Sequence, residues 1–221
     1  MYAYFQPRIS VAQEEADIKE MIDEEYERKE QEERDYYKQM EEDYYKYLED
    51  FSMKKYDVIF SDLDGTLINT ISGKTFPKGV WDMKIRFEVL DKIKEIKPKY
   101  LLIVSNQGGI ESGFVDAINF RAKSEYITRA IREYCGCKCY AIYCVTNDKS
   151  DPYRKPNTGM LENLMESYVG DDFDYIKQKS LMIGDASGKE WQFSDSDKKT
   201  AENFCIDYMD VDDFINTNWE D

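Results

Sequence analysis

Four short segments of the chain carry carboxylate, hydroxyl and lysine side chains that can act together on a phosphate group. In chain order they are 61–67 (Ser-Asp-Leu-Asp-Gly-Thr-Leu), 105–109 (Ser-Asn-Gln-Gly-Gly), 153–160 (Tyr-Arg-Lys-Pro-Asn-Thr-Gly-Met) and 184–188 (Gly-Asp-Ala-Ser-Gly). Three of the four follow a short apolar run, and open parallel sheets place their ligands at the ends of such strands. Two paired aspartates, a hydroxyl, a lysine and a further aspartate are the groups that metal-assisted phosphoryl transfer requires.

Asp62 and Asp64 are the predicted catalytic residues. They lie two residues apart on a turn after an apolar run, so both side chains can face one pocket. Asp62 is the predicted nucleophile, because a carboxylate can attack phosphorus and form an aspartyl-phosphate. Asp64 is the predicted general acid toward the leaving oxygen and then the base toward water. Taken alone, Asp-x-Asp-Gly fits a solvated turn equally well, and the other three segments favour the catalytic interpretation.

Asp185 is predicted to complete a Mg²⁺ site with Asp62 and Asp64. The Asp62 and Asp185 carboxylates and the backbone carbonyl of Asp64 would offer the oxygen ligands that Mg²⁺ prefers. The ion would neutralise charge between the nucleophile and the phosphate. The alternative for Asp185 is a carboxylate that caps the following turn.

Ser105, Asn106 and Lys155 are predicted to bind the phosphate oxygens. A hydroxyl and an ammonium group placed there stabilise the negative charge that develops in the transition state. Asp197 is expected to anchor Lys155 or to bind the metal through water. An acid in the first turn of a helix explains Asp197 about equally well.

The composition excludes several kinds of chemistry and partner. Histidine is absent, which removes hydrolases with a histidine base and every histidine-based metal site. The net charge of −16 argues against a broad basic surface for nucleic acid, although not against a small basic groove. No apolar run is long enough for a transmembrane helix. Five cysteines without a secretion signal indicate free thiols in an intracellular compartment, cytoplasmic or nuclear.

From residue 56 onward, short apolar runs alternate with helical patterns, which predicts βαβ units. The expected fold class is therefore α/β, a three-layer Rossmann-like parallel sheet with a long N-terminal helix. Strands are predicted near 56–61, 100–105, 139–145, 180–184 and 204–208. Helices are predicted near 83–97, 116–134, 158–168 and 197–203.

The spacing between the four segments leaves no room for a cap domain. Residues 67–100 hold a hairpin or flap, predicted at 69–76, and one helix, whereas 106–155 are used by one helix, one strand and a loop. A site without a lid can accept a phosphate at the end of a large molecule.

Residues 1–55 are predicted to be an acidic helical extension of a catalytic domain at 56–221. No Gly or Pro interrupts 11–55, and Glu, Lys, Arg and Gln favour helix. One apolar stripe recurs at three- and four-residue steps, at Tyr37, Met40, Tyr44, Tyr47 and Phe51. A helix whose last turns dock on the domain is favoured over a coiled coil, and a protein partner or self-association through this helix is the alternative.

These motifs and their order resemble those of the haloacid dehalogenase-like phosphatases. Within that group the chain is similar to the 3'-phosphatase domain of polynucleotide kinase 3'-phosphatases, over nearly all of 56–215. The segments that carry this closer likeness are 72–77 (Ser-Gly-Lys-x-Phe-Pro), 106–110 (Asn-Gln-x-Gly-Ile), 153–160, 184–188, 193–197 (Phe-Ser-x-x-Asp) and 212–214 (Asp-Asp-Phe). Two features depart from the family pattern: Ser105 stands where Thr is commoner, and the stretch between 188 and 193 is very short.

The resemblance implies a haloacid dehalogenase-like fold without a cap and Mg²⁺-dependent removal of a 3'-phosphate from DNA ends, as in DNA repair. It gives the site residues the roles stated above, with Asp197 behind the metal and Lys155. A small-molecule phosphomonoesterase acting on a sugar or histidinol-type phosphate is one alternative, and a non-catalytic adaptor acting through the N-terminal helix is another. Candidates for contacts with the rest of the substrate, with a solvated surface as the alternative, are Lys74, Arg121, Lys123, Arg129, Arg132 and Arg154.

Overall fold

The computed structural model describes residues 11–52, 54–74, 77–170 and 172–219. The chain divides into two compact units, Met1–Leu48 and Glu49–Asp221. We keep residue 56 as the proposed start of the catalytic domain, because the first strand of its sheet begins at Val58.

The N-terminal segment forms one long helix, α1 (Val11–Ser52). Pairs of opposite charge one turn apart support it, such as Lys29 with Glu25 at 2.9 Å between nitrogen and oxygen. Tyr37 and Met40 of the predicted apolar stripe are exposed, and the side chain of Phe51 lies outside the described residues. Among the described helices, none has the length and apolar character that a membrane span requires.

A five-stranded parallel sheet forms the centre of the second unit. Its strands are β1 (Val58–Ser61), β4 (Tyr100–Asn106), β5 (Lys138–Cys144), β6 (Ser180–Gly184) and β7 (Asp207–Asp210). Their order in the sheet is β5-β4-β1-β6-β7, and all neighbours are parallel. The last residue of β1 pairs with Ile103 on one side and Ile183 on the other. Because the order runs outward in both directions from β1, the loops after β1, β4 and β6 meet at one edge, where such sheets bind ligands.

Helices cover both faces of the sheet. On one face, Phe60 and Leu102 belong to a buried cluster with side chains of α4 and α6, and on the other face α3 packs against β5 and against α2. Alternate strand residues face opposite layers of helices, so the buried strands are mainly apolar between their ends. The helices are α2 (Phe87–Ile96), α3 (Ala117–Cys135), α4 (Gly159–Leu164), α5 (Phe173–Gln178), α6 (Ser196–Phe204) and α7 (Val211–Asn216). The predicted α/β class with a parallel sheet and a long N-terminal helix is confirmed.

The flap is a two-stranded hairpin that extends over residues 68–85, which is longer than the predicted 69–76. Strand β2 (Ile68–Thr70) pairs antiparallel with β3 (Met83–Ile85), so the predicted helix start at 83 is wrong and α2 begins at Phe87. Asp82 closes the loop between the strands, because its carboxylate accepts from the backbone N–H and the hydroxyl of Ser72 at 2.8 and 2.9 Å. Residues 75 and 76 of the predicted flap lie outside the described residues.

Other boundaries differ because short elements carry little periodicity. The sequence did not predict α5 or α7, which have six residues each. The last strand lies at Asp207–Asp210 rather than near 204–208. Phe204 still belongs to α6, and Cys205 ends that helix with a left-handed φ of 60°.

Truncation of a central strand residue tests the importance of this core. Leu102 is fully buried in β4, so Leu102→Ala should lower the free energy of unfolding by about 2–5 kcal/mol through lost burial and a residual cavity. Ile118→Ala, at a position that is 79% exposed on α3, is the matched control and should change it by less than about 0.5 kcal/mol. Urea denaturation measures both, and equal effects would contradict the assigned core.

Candidate active site

The turn after β1 presents Asp62 and Asp64 at the edge of the sheet. It is closed by a hydrogen bond from the Gly65 N–H to the Ile68 carbonyl at 2.8 Å, and Arg86 Nη1 donates to the Gly65 carbonyl at 2.6 Å. Gly65 has a φ of 89°, and a Cβ there would collide with the Asp185 carboxylate. Glycine at 65 therefore both allows the turn and lets the loop after β6 approach it closely.

Lys155 lies between two buried carboxylates. Its Nζ is 2.6 Å from Asp62 Oδ1 and 2.7 Å from Asp197 Oδ1, and all three side chains are almost fully buried. The other oxygen of Asp197 accepts from the Ala186 N–H at 3.2 Å. Asp197 contacts Lys155, as one of its predicted roles requires. It also lies in the first turn of α6, as the alternative explanation requires.

Asp62, Asp185 and Asp197 form a cluster whose oxygen atoms lie within 4.8 Å of one another. When all three are ionised, Lys155 alone cannot balance them, and two negative charges remain in excess. Clustered carboxylate oxygens with an excess charge of this size fit a divalent, oxygen-preferring cation such as Mg²⁺. The side chain of Asp64 is outside this cluster, so the predicted contribution of Asp64 rests on its backbone carbonyl.

Crowding of these charges in a buried site shifts their pKa values. Burial is the largest cause that raises the pKa of Asp62 to about 8; Lys155 opposes the rise, whereas Asp197 and Asp185 add to it. Burial, followed by repulsion from Asp197, raises the pKa of Asp185 to about 6. Burial alone would lower the pKa of Lys155, but Asp197 and Asp62 together raise it above its ordinary value. A bound cation would relieve the repulsion among the carboxylates.

Two residues that the sequence analysis did not assign to the site orient Asp64. Lys123 Nζ lies 2.9 Å from Asp64 Oδ1, and both side chains are buried. Gln107 Nε2 donates to Asp64 Oδ2 at 2.7 Å. Lys123 is therefore not a contact for a nucleic-acid backbone, as proposed from the sequence, because its ammonium group is buried against Asp64. Its position on the buried face of α3, three residues after Phe120 and four before Ile127, is the sequence signal that could have revealed this.

Ser105 and Asn106 end β4 beside Lys155. Ser105 is buried, lines the cavity and accepts a hydrogen bond from Gln107 Nε2 at 2.8 Å. The Asn106 side chain instead clamps the backbone of Lys155, donating to its carbonyl at 3.0 Å and accepting from its N–H at 2.9 Å. The carboxamide of Asn106 is thus used to hold the lysine loop, and contact of this side chain with phosphate stays a prediction.

An open cavity of about 670 Å³ lies above these groups. Beside the acidic cluster and Lys155, it is lined by Lys149, Arg154 and Phe193. A smaller neighbouring cavity of about 300 Å³ is lined by Asp64 and Lys74. The remaining basic candidates on α3 are bound elsewhere: Arg121 and Arg129 pair with glutamates of their own helix, and Arg132 donates to the Cys139 carbonyl.

Comparison with known proteins adds an independent observation. The family model described as polynucleotide kinase 3 phosphatase matches residues 57–215. The chain is 28% identical over 173 residues to an uncharacterised 20.8 kDa protein of Autographa californica nuclear polyhedrosis virus, covering 73% of this chain and 87% of that protein. It is 32% identical over 158 residues to the bifunctional polynucleotide phosphatase/kinase of Schizosaccharomyces pombe, covering 70% of this chain but only 36% of the yeast protein.

A solved structure shares the fold. It is D,D-heptose 1,7-bisphosphate phosphatase from B. bronchiseptica, in complex with magnesium and phosphate, which superimposes with a TM-score of 0.53 at 20% identity. The superposition covers 71% of this chain and 79% of that one. At this level of identity, the likeness concerns the fold.

Removing the Lys123 ammonium tests whether it positions Asp64. Lys123→Met should reduce kcat for phosphomonoester hydrolysis on the order of 10²-fold, with a smaller change in KM, because a carboxylate displaced by about 1 Å no longer transfers protons efficiently. Lys123→Arg, which keeps the charge, should restore part of the rate.

The matched control is Arg121→Met, two residues earlier on α3, where the charge is exposed and paired with Glu125. It should leave both constants unchanged, since surface ion pairs contribute little. Circular dichroism should verify that every variant is folded. A folded Lys123→Met protein with the original kcat would contradict the positioning role.

Proposed function

This chain belongs to the polynucleotide kinase 3 phosphatase family of haloacid dehalogenase-like phosphatases, and we propose that it hydrolyses the 3'-phosphate of nucleic-acid ends in a Mg²⁺-dependent reaction. The observation that carries this proposal is the buried bridge from Asp62 through Lys155 to Asp197, at the floor of an open cavity. In this proposal the bridge joins Asp62 as the nucleophile to Lys155 as the cation that binds the phosphate.

The proposed reaction has two steps that the residues of this chain can support. The Asp62 carboxylate attacks phosphorus, an aspartyl-phosphate forms, and the 3'-oxygen leaves with a proton from Asp64. Asp64 then accepts a proton from water, which attacks the same phosphorus and releases inorganic phosphate and free Asp62. Lys155 and the Ser105 hydroxyl stabilise the negative charge on the phosphoryl oxygens in both steps. Lys123 keeps the Asp64 carboxylate directed at the reacting oxygen.

The metal part of the proposal rests on the excess negative charge of the cluster. We assign Asp62, Asp185 and the backbone carbonyl of Asp64 as the groups that would hold Mg²⁺, with Asp197 next to them on Lys155. When bound, the cation would supply charge neutralisation between the nucleophile and the phosphate dianion. The oxygen-only donor set and the raised pKa values of Asp62 and Asp185 support this assignment.

The openness of the site supports a polymeric substrate. Between β1 and α2 the described residues form the β2–β3 hairpin with a three-residue 3-10 helix (Val80–Asp82), and between β4 and β5 they form α3 and its flanking loops. A phosphate at the end of a long chain can therefore reach the floor of the cavity. Arg154 and Lys149 line its wall and Lys74 lines the neighbouring cavity, where they would contact the substrate backbone.

The wider biology stays a prediction. Removal of a 3'-phosphate from a broken DNA strand would make the end ready for extension, a step of DNA repair in an intracellular compartment. Helix α1 lies outside the matched residues 57–215, so we give it no part in catalysis. A protein partner or self-association through α1 is likewise still a prediction.

The substrate proposal is tested by phosphate release from a 3'-phosphorylated oligonucleotide beside a heptose bisphosphate at equal concentration, with and without Mg²⁺. We expect Mg²⁺-dependent release that is much faster from the oligonucleotide. Asp62→Asn should reduce it to background because the amide is not a nucleophile. Asp174→Asn, an exposed site on α5, is the matched control and should retain full activity. Faster release from the sugar would keep the chemistry and overturn the nucleic-acid substrate.

Metal binding should be coupled to proton release. Burial and repulsion among the carboxylates raise the pKa of Asp62 and of Asp185 in the metal-free site, so protons compete with the metal for these ligands. Binding of Mg²⁺ should therefore release protons, and the affinity should weaken as the pH falls. Calorimetry in two buffers with different ionisation enthalpies measures the protons released.

The same titration of Asp62→Asn gives the contrast, since an amide has no proton to lose on binding. The variant should release fewer protons than the unchanged chain, and Asp174→Asn should match the unchanged chain. Equal proton release by Asp62→Asn would show that the protons come from elsewhere.

A further inference from the structure

The loop between β6 and α6 exposes two large aromatic side chains beside the phosphate-binding groups. Phe193 is 78% exposed and Trp191 is 76% exposed. Phe193 also lines the same cavity as Asp62 and Lys155. Neither ring has a part in the phosphate chemistry described above, so their placement calls for a different explanation.

Gln192, between the two aromatic residues in the chain, anchors the loop through hydrogen bonds of its side chain. Its Oε1 accepts from the backbone N–H and the hydroxyl of Ser187 at 2.7 and 2.8 Å, and its Nε2 donates to Asp210 Oδ2 at 2.7 Å. A further bond from the Gly188 N–H to the Ser194 carbonyl at 3.1 Å closes the loop. The side chain of Gln192 is thus bound inward while those of its two neighbours remain in solvent. The exposure of the rings is a property of a fixed loop.

An exposed aromatic ring next to a phosphate site matches a ligand that joins a phosphate to a flat aromatic ring. In a nucleotide 3'-phosphate, the sugar connects these two parts at a short distance. Base stacking on aromatic side chains is how proteins hold single-stranded nucleic acid without reading its sequence. A simple sugar phosphate offers no such ring, so the aromatic pair would give it no binding advantage.

We propose that Phe193 stacks on the base of the 3'-terminal nucleotide and that Trp191 stacks on the next base. This inference rests on the proposed function and names its substrate class: an unpaired 3' end. Phe193 takes the terminal base because it lines the cavity, whereas Trp191 lies outside the lining residues, two positions earlier in the chain. Lys189 Nζ, 5.8 Å from the centre of the Trp191 ring, helps to hold that ring in place.

The first test is the KM for a single-stranded oligonucleotide with a 3'-phosphate. Phe193→Ala should raise it about 5- to 150-fold, the range for loss of one base–aromatic stack. The kcat should change little, because stacking is present in both the ground state and the transition state. Phe193→Tyr, which keeps a ring, should restore the original KM. Tyr175→Ala, an exposed aromatic site on α5, is the matched control and should have no effect.

The second test removes the base instead of the side chain. An oligonucleotide whose 3'-terminal residue lacks its base should show a raised KM with the unchanged protein, and Phe193→Ala should add no further increase. With a nucleoside 3'-phosphate, Trp191→Ala should have no effect, whereas with a dinucleotide it should raise the KM. Blunt duplex ends, whose bases are paired and stacked, should be poorer substrates than single strands.

The outcomes separate this inference from the proposed function. The stacking inference would be overturned, and the proposed function left intact, if neither Phe193→Ala nor the abasic end raised the KM above that of the unchanged protein with the intact oligonucleotide. Hydrolysis of glycerol phosphate but not of any oligonucleotide would overturn the proposed function, and with it the inference. If only Trp191→Ala raised the KM, the assignment of the terminal base to Phe193 would be wrong.

Discussion

The Lys155 ammonium group, held between Asp62 and Asp197, is the interaction on which the geometry of the site depends. Burying several carboxylates at the edge of a sheet is costly unless cations and hydrogen bonds compensate them. The Lys155 ammonium group compensates the charges of both Asp62 and Asp197. The Asn106 side chain fixes the backbone of Lys155 to the end of β4. Asp62, the loop that carries Lys155 and the start of α6 thereby become one connected unit. A role in chemistry explains this arrangement better than a role in stability, because apolar residues at such positions often give an equal or larger free energy of unfolding.

Close approach of the backbone makes this unit possible. A Cβ at Gly184 would collide with the Asp197 carboxylate, as one at Gly65 would with Asp185. Both glycines lie on strand ends or turns that face the cluster, so the carboxylates reach one another only because these positions lack side chains. The geometry of the site is therefore determined by residues with no chemistry of their own as well as by the charged groups.

The sequence predicted the parts of the site that follow directly from strand ends. Asp62, Ser105 and Asp185 lie where apolar runs stop, and parallel strands bring their ends together. It did not predict the partners of Asp64, because Lys123 on α3 and Asp64 in the turn after β1 are 59 residues apart in the chain. Lys123 had been grouped with exposed basic residues of α3 on charge alone, although its helical position places it on the buried face. Burial, and not residue type, distinguishes these two roles.

Short elements were lost for a related reason. Two six-residue helices and a three-residue strand give no clear periodicity, and their positions depend on contacts such as the hydrogen bonds of Asp82 with Ser72. The residues at the strand ends could thus be derived from the sequence, whereas the short elements around them could not.

The absence of a cap among the described residues between β1 and β5 has a kinetic consequence. In many enzymes the opening of a lid or the release of product sets the turnover. The described residues of the second unit include no cap that would have to move before the products of phosphate-ester hydrolysis diffuse away. Discrimination between substrates must then occur during the initial encounter, on fixed wall residues. Changes in the loops could redirect the enzyme to another class of phosphate ester while the catalytic floor stays intact.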